Sequence, residues 1–430
     1  MESNFRLFDL GKNEDLPIWD LIRVDMYYRY VYNYASNNNI SGYTNLLYGS
    51  WPRTIWVWIK SLPLFFKRNK IVFYSRPRDV RKDGKAYDKI LNDMITTCPE
   101  DQRLIIGGIS HKGQISYNYY NINLLIYVLK LFIRKYDLHK DWVYTVIAAF
   151  KSTYNVEIAP NDVIRLVNYN ILQTKALFIL FKWLKPRKIF SSDPFKPIYA
   201  AAKKLGIQTY EFQHAGIFFD YLAYSYPAKI ISTSNIAWAN NYVTFGTKWG
   251  INNNIPASII NLGNNEFKPV LFNRPLNENY YLVISDDEHN NVLRPIALEL
   301  SKRLEDSIII YKLHPSEYNN ISSYQEYFEG LSNVIIATNE YPLFDLIKYM
   351  NLMVLVYSSA FFEAISLNKK VAVLKHDTYY LLNDFVDAEP NAKIVESIDD
   401  IIKFDKIPEM VCESSYYDSF NQNVAKKMLL

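Results

Sequence analysis

Short runs of β-branched and aromatic residues alternate with polar stretches of helix length along most of this chain. That alternation predicts βα units wound around parallel sheets. A first set of candidate strands comprises Ile71–Tyr74, Leu104–Ile106, Lys188–Phe190, Gln208–Phe212, Lys229–Ser232 and Tyr242–Phe245, with a long, mostly helical insertion between the second and third. An asparagine-rich stretch with two prolines, Asn264–Asn279, reads as a linker. Beyond it come Tyr281–Ser285, Ser307–Lys312, Asn333–Ala337, Leu352–Tyr357 and Val371–Leu374. Helical stretches fit between these, among them Val292–Leu304 and Pro342–Met350. The pattern predicts an α/β fold of two Rossmann-like domains facing each other across a cleft, with helical insertions in the first. Residues 1–265 form the first domain, 266–415 the second, and 416–430 end in a helix that packs back on the first. Ligands of such folds bind beyond the carboxyl ends of the strands, so the loops that follow the strands are where chemistry is expected.

Composition narrows the class. At 430 residues, 49% hydrophobic and 21% charged, the chain can bury large cores, which excludes disordered and collagen-like classes. A formal charge of +4 over this length announces no nucleic-acid partner. Two cysteines far apart in sequence, Cys98 and Cys412, make neither a disulfide framework nor a metal knuckle, and a cytoplasmic location is the expectation. The Met1 end carries no basic region followed by an apolar run, so export is not expected, and no stretch reaches the ~20 apolar residues of a membrane span. Trp51–Lys70 stands out locally, with Arg53, Lys60, Lys67, Arg68 and Lys70 beside Trp51, Trp56, Trp58, Phe65 and Phe66 and no acid. Such a segment suits the surface of an inner membrane, or equally a buried helix with a solvated basic tail.

Four constellations fall at predicted strand ends. Lys312-Leu313-His314-Pro315 follows one strand, and proline holds the preceding residue extended, so His314 is expected at the strand end, pointing into the cleft and starting no helix. Ser358-Ser359 opens a helix after another strand, and hydroxyls with free backbone N–H groups suit a phosphate. Glu363 lies four residues after Ser359, on the same helix face, where a carboxylate can accept from ribose hydroxyls. In the first domain, Gln213-His214-Ala215-Gly216 offers His214 as a general base beside a glycine that lets a ligand approach the backbone. Asp193 is a second candidate base, or an N-cap. Ser285-Asp286-Asp287-Glu288-His289 reads as a solvated turn more than as a metal site, with Ser285 a candidate ligand contact. No GxGxxG and no GxxxxGK[ST] is present, so no nicotinamide cofactor and no P-loop is expected.

The ordered set QHAG, FGTKWG, NLG, KLHP and YSSAFFEAISLNKKVAVL, over roughly residues 188–385, resembles the GT-B glycosyltransferases of bacterial surface polysaccharide synthesis. In pattern it is similar to sialyl-, polysialyl- and Kdo-transferases and to the CDP-glycerol glycerophosphotransferases. The resemblance implies an inverting transfer, without a metal or other cofactor, from a nucleotide-sugar donor, a CMP-sugar first, to an oligosaccharide or lipid-linked glycan acceptor. By position, His314, Ser358 and Ser359 would meet the donor phosphate, with Lys312, Pro315 and Ser285 beside them, and Glu363 the ribose. His214, flanked by Gln213 and Gly216, would take the acceptor proton, with Asp193 as the alternative base. Those relatives have HG directly, whereas Ala215 intervenes here. A CDP-polyol phosphotransferase, a UDP-hexose transferase, a UDP-sugar 2-epimerase and a non-catalytic glycan-binding protein are the other readings.

Overall fold

The computed structural model describes residues 1–11, 17–31, 62–77, 79–80, 84–108, 114–133, 140–214, 216–217, 224–227, 236–250, 255–265, 279–411 and 415–430. Two parallel sheets organise them. The first contains β1 (Ile71–Tyr74), β4 (Arg103–Gly107), β5 (Tyr119–Asn121), β6 (Lys188–Ser191), β7 (Gln208–Phe212), β8 (Asn241–Thr244) and β9 (Ser258–Asn261), in the order β5-β4-β1-β6-β7-β8-β9. A small antiparallel pair, β2 (Asp79–Val80) and β3 (Ala86–Tyr87), stands beside it. The second contains β10 (Asn279–Ile284), β11 (Ser307–Lys312), β12 (Val334–Ala337), β13 (Leu352–Leu355), β14 (Lys370–Leu374) and β15 (Ala392–Val395), in the order β12-β11-β10-β13-β14-β15. In each sheet the first strand lies inside, the next two to one side and the rest to the other. That is the doubly wound, Rossmann-like order, and the expected two-domain α/β architecture of the GT-B type is present.

Central strands read IVFY, LMVL and KVAVL and are buried along their whole length. Helices cover both faces of such a sheet, so both sides of the strand must be apolar. The expected helical insertion between β4 and β6 holds α3 (Asn123–Phe132), α4 (Lys140–Tyr154) and α5 (Pro160–Leu184), after α1 (Ile18–Tyr30) and α2 (Asn92–Thr97). Proline at the first position of α5 is pre-set for a helix, and Lys185, with φ 48°, ends it. Its buried stripe through Val163, Val167, Ile171, Leu177 and Leu184 packs against α1, α3, α4 and the following helix α6 (Lys196–Lys204).

Three strands of the two large sheets escaped the alternation pattern, β5, β9 and β15, as did the short pair β2 and β3. The candidate strand Lys229–Ser232, most of the linker, Trp51–Ser61 and Cys412 lie outside the described residues. Among the described residues no helix is long and apolar enough to cross a membrane.

After Ile398–Asp405, the last helix of the second domain, the chain returns to the first sheet. Asp418 N donates to Phe245 O (2.7 Å), Asn264 N to Asp418 O (2.9 Å) and Asn421 N to Leu262 O (2.7 Å). The closing helix Gln422–Leu429 then buries Ala425 and Met428 among Ile71, Phe73 and Phe190. Gly246 and Gly263, from the FGTKWG and NLG motifs, lie against the backbone of residues 415–419 so closely that a Cβ on either would overlap it. Between the domains Trp249 is the wedge. Its ring meets Phe362 (4.6 Å between centroids) and Tyr416 (4.8 Å), and its Nε1 donates to Tyr416 O at 2.7 Å. Lys248 Nζ pairs with Glu389 Oε1 alongside, at 2.5 Å.

Candidate functional site

In the second sheet the strand order reverses between β10 and β13, where a parallel sheet opens its crevice. Loops after β10, β11 and β13 carry Ser285, His314 and Ser358-Ser359. Neighbouring strands are ~4.8 Å apart, so the ends of β11 and β13, two strands apart, stand roughly 10 Å from each other.

His314 has the extended backbone its proline predicts, φ −68° and ψ 148°. It nevertheless starts a helical turn, contrary to expectation, as the N-cap of Pro315–Asn320. Proline fits the first helical position because its φ is pre-set and it has no N–H to satisfy, and Glu317 completes a capping box by accepting from His314 N at 2.8 Å. The imidazole Nδ1 lies 2.7 Å from Ser316 Oγ, which donates to Asp287 Oδ2 at 2.5 Å. That leaves Nε2 of this exposed side chain as the nitrogen to meet a ligand.

Glu317 is 1% exposed and accepts from Asn290 Nδ2 at 2.6 Å; Ser285 Oγ lies 2.9 Å from it. So the buried Ser285 joins the loop after β10 to the loop after β11. Lys312 is likewise drawn inward, with Nζ donating to Thr338 O at 2.6 Å, and burial lowers its pKa. Asp286 Oδ1 accepts from Glu288 N and His289 N and contacts His289 Nδ1 at 2.7 Å, closing the acidic run into a turn. Among the described residues no group of three or more His, Cys, Asp or Glu side chains is placed to hold a metal ion.

Ser358 Oγ accepts from Ala360 N at 3.3 Å, while Ser359, exposed at the start of α10 (Ala360–Ser366 in the helix count that continues α7 Asn290–Arg303, α8 Ile321–Tyr327 and α9 Leu343–Tyr349), makes no side-chain capping bond. Seven residues make a short dipole, so hydroxyls and first-turn N–H groups are what this junction offers a phosphate. Glu363 follows on the same helix and is half-buried against the other domain. Burial pushes its pKa up to about 7 against the pull of Lys89, and its charge bears on Tyr417.

That shift has a sign. A carboxyl whose folded pKa is raised binds more protons folded than unfolded between its ordinary value and about 7. Stability from this group is therefore complete below its ordinary pKa and falls as pH rises through about 7. Glu363→Gln, which cannot ionise, is expected to flatten this decline by roughly 1–3 kcal/mol, read as a smaller fall in unfolding midpoint between about pH 5 and about pH 8.

In the first sheet the order reverses between β1 and β6, and the residues there were only partly foreseen. Arg76 Nη1 pairs with Asp193 Oδ1 at 2.9 Å. Asp193 caps no helix, since Phe195 holds the cap position of α6; its charge faces a guanidinium instead, which weakens its case as a base. Buried Asp88 accepts from Arg76 N (2.8 Å), Ser192 Oγ (2.6 Å) and Ser75 Oγ (3.1 Å), binding both loops together, and burial raises its pKa. The charge of Lys89, next to Asp88 in sequence, bears on Glu363. Arg76, Asp88 and Lys89 were not expected; the only local signal is their place just after β1 and β3.

One strand over, Gln213 is fully buried, donates from its N to Val243 O (2.9 Å) and accepts from Phe245 N on Oε1 (3.0 Å). It fixes the ends of β7 and β8 and with them His214, whose half-buried ring has Nδ1 2.8 Å from Tyr224 OH. Gly216 is buried just beyond; Ala215 lies outside the described residues. Behind them Lys196 lies 3.4 Å from the centre of the Trp238 ring and 2.8 Å from Tyr226 OH. Burial pulls Lys196 down to about 8 and pushes the fully buried Glu211 up to about 7.

No family model and no curated protein matches the chain. Among solved structures it is similar to UDP-GlcNAc 2-epimerase from Neisseria meningitidis bound to UDP-GlcNAc, at 15% identity and a TM-score of 0.44 over 84% of this chain and 97% of that one. It is also similar to Acinetobacter baumannii MurG (12%, TM-score 0.43, 78% and 89%) and to TarM (12%, TM-score 0.41, 79% and 92%).

Proposed function

We propose that the protein is a glycosyltransferase that moves a sugar from a nucleotide donor to a glycan hydroxyl, with a CMP-linked 2-keto acid sugar as first choice of donor. One observation carries this reading. Two doubly wound sheets meet at the wedge of Trp249, with His314, Ser358-Ser359 and Glu363 around the switch point of one sheet and His214 on a strand end of the other. In the proposed reaction the acceptor oxygen attacks the anomeric carbon and His214 takes its proton. The bond from that carbon to the phosphate oxygen breaks with its electron pair, and the nucleotide leaves carrying the new charge. His314 Nε2, the serine hydroxyls and the first N–H groups of α10 are donors set in place for that charge. In this reading Glu363 accepts from the ribose hydroxyls.

A thermal-shift panel of CMP, CDP, UDP and GDP tests the reading; UDP belongs in it because the similar epimerase structure holds UDP-GlcNAc. A nucleotide at about a hundred times its Kd stabilises the native state by about 2.7 kcal/mol. The expected result is a shift with CMP that His314→Ala loses. A shift with UDP or CDP instead moves the donor to a hexose or a polyol phosphate, and no shift with any nucleotide overturns the enzyme in favour of a binding protein.

A further inference from the structure

At the amino ends of β1 and β6 the first domain carries an apolar and basic surface. Phe66 is 88% exposed, Trp183 50% and Ile179 43%. Ile179 and Trp183 are four residues apart on α5 and share its outer face. Arg68 joins the two segments, donating from Nε to Trp183 O at 3.1 Å with its guanidinium carbon 5.4 Å from the ring centre. Asn69 N adds a bond to Leu184 O at 2.8 Å.

Around these apolar tips the charge has one sign. Lys67, Lys182, Lys185 and Arg187 are exposed, and the chain holds no acid between Asp162 and Asp193 or between Leu62 and Asp79. Arg187 Nη2, 3.2 Å from Gln102 Oε1, marks the border with the turn that carries Glu100 and Asp101. Soluble proteins cover contiguous surfaces of this kind. Protein partners do so with interface cores depleted in lysine, whereas lysines on long stems around a tryptophan and a phenylalanine match a layer of lipid phosphates over acyl chains.

We infer that this face, built by Leu62–Lys70 and the last turns of α5, docks on an anionic lipid bilayer, with Phe66 and Trp183 entering the headgroup layer and the cations meeting its phosphates. It stands at the opposite end of the sheet from His214 and Asp193. Membrane docking and the transfer chemistry can therefore fail separately.

The test is co-sedimentation of the full chain with vesicles of phosphatidylcholine alone and of phosphatidylcholine mixed equally with phosphatidylglycerol, at low and at physiological salt. Partition into the mixed vesicles is expected to exceed that into neutral ones by tenfold or more and to weaken with salt. Lys182→Gln with Lys185→Gln is expected to reduce it about 25-fold, at about fivefold per cation, and Phe66→Ser with Trp183→Ser about tenfold or more. All four positions are exposed, so melting followed by circular dichroism should show both variants folded at the assay temperature, with at most a small fall where Trp183 loses the Arg68 contact. Equal partition into neutral and mixed vesicles, or unchanged partition of both variants, overturns the proposal. So does binding to soluble heparin, insensitive to the Phe66 and Trp183 changes, in the absence of vesicle binding.

Discussion

His214→Ala is expected to lower sugar transfer by about two to four orders of magnitude, the usual worth of a positioned general base, while nucleotide binding stays at its unsubstituted level. The two effects separate because His214 stands on the first sheet and the proposed hydrogen-bond donors to the phosphate, His314, Ser358 and Ser359, on the second. Tyr224→Phe checks the same idea from behind. The Tyr224 hydroxyl, 2.8 Å from Nδ1, helps decide which ring nitrogen carries the proton. Removing it should lower the rate less than the alanine change and move the acid limb of the pH–rate profile, which a purely structural role would leave in place. Transfer that survives His214→Ala undiminished would pass the base role elsewhere on the first sheet.

Trp249→Ala is expected to destabilise the protein by about 3–5 kcal/mol, the range for truncating a buried aromatic side chain. It is 1% exposed, and it touches Phe362 on α10, Phe385 from the helix after β14 and Tyr416 on the returning segment. Its Nε1 bond to Tyr416 O is lost as well, leaving a buried carbonyl with one partner fewer. Because Phe362 sits next to Glu363 on the helix that begins at Ser359, nucleotide affinity should fall along with the urea midpoint. Unfolding at an unchanged midpoint would mean that the wedge contributes little to holding the domains.

Much of this architecture is legible in the amino-acid pattern, and the exceptions have a common cause. Ile71–Tyr74 and Ser307–Lys312 are strands with the bounds read from the residues alone, because interior parallel strands must be apolar on both faces, and Gln208–Phe212 has the same bounds as read although the buried Glu211 interrupts its apolar run. Tyr119–Asn121, Ser258–Asn261 and Ala392–Val395 lie at sheet edges, are partly solvated, and mix in polar residues, so no continuous apolar run announces them. The site divides in the same way. Histidines and serines directly after strands could be named from position, whereas the pairing of Arg76 with Asp193 joins residues 117 apart and that of Asp88 with Ser192 residues 104 apart. Only the fold brings such partners together. The capping role of His314 is written in Pro315 and Glu317, because a proline that holds the preceding residue extended also fits the first position of a helix. Gly246 and Gly263 belong to motifs whose need for glycine comes from residues 415–419, which no local spacing reveals.

The helix at 422–429 also sets an order of events during synthesis. Ile71, Phe73 and Phe190 belong to the first domain, yet the side chains that cover them, Ala425 and Met428, leave the ribosome only after the whole second domain. One face of the first sheet, covered until then only in part by Met94 and Ile95 of α2, thus waits from the end of β9 at Asn261 until Ala425 has been made. The nascent chain is a natural client for a holding chaperone over that interval, and release of the first domain alone, cut before the return, would yield a sheet without its lid.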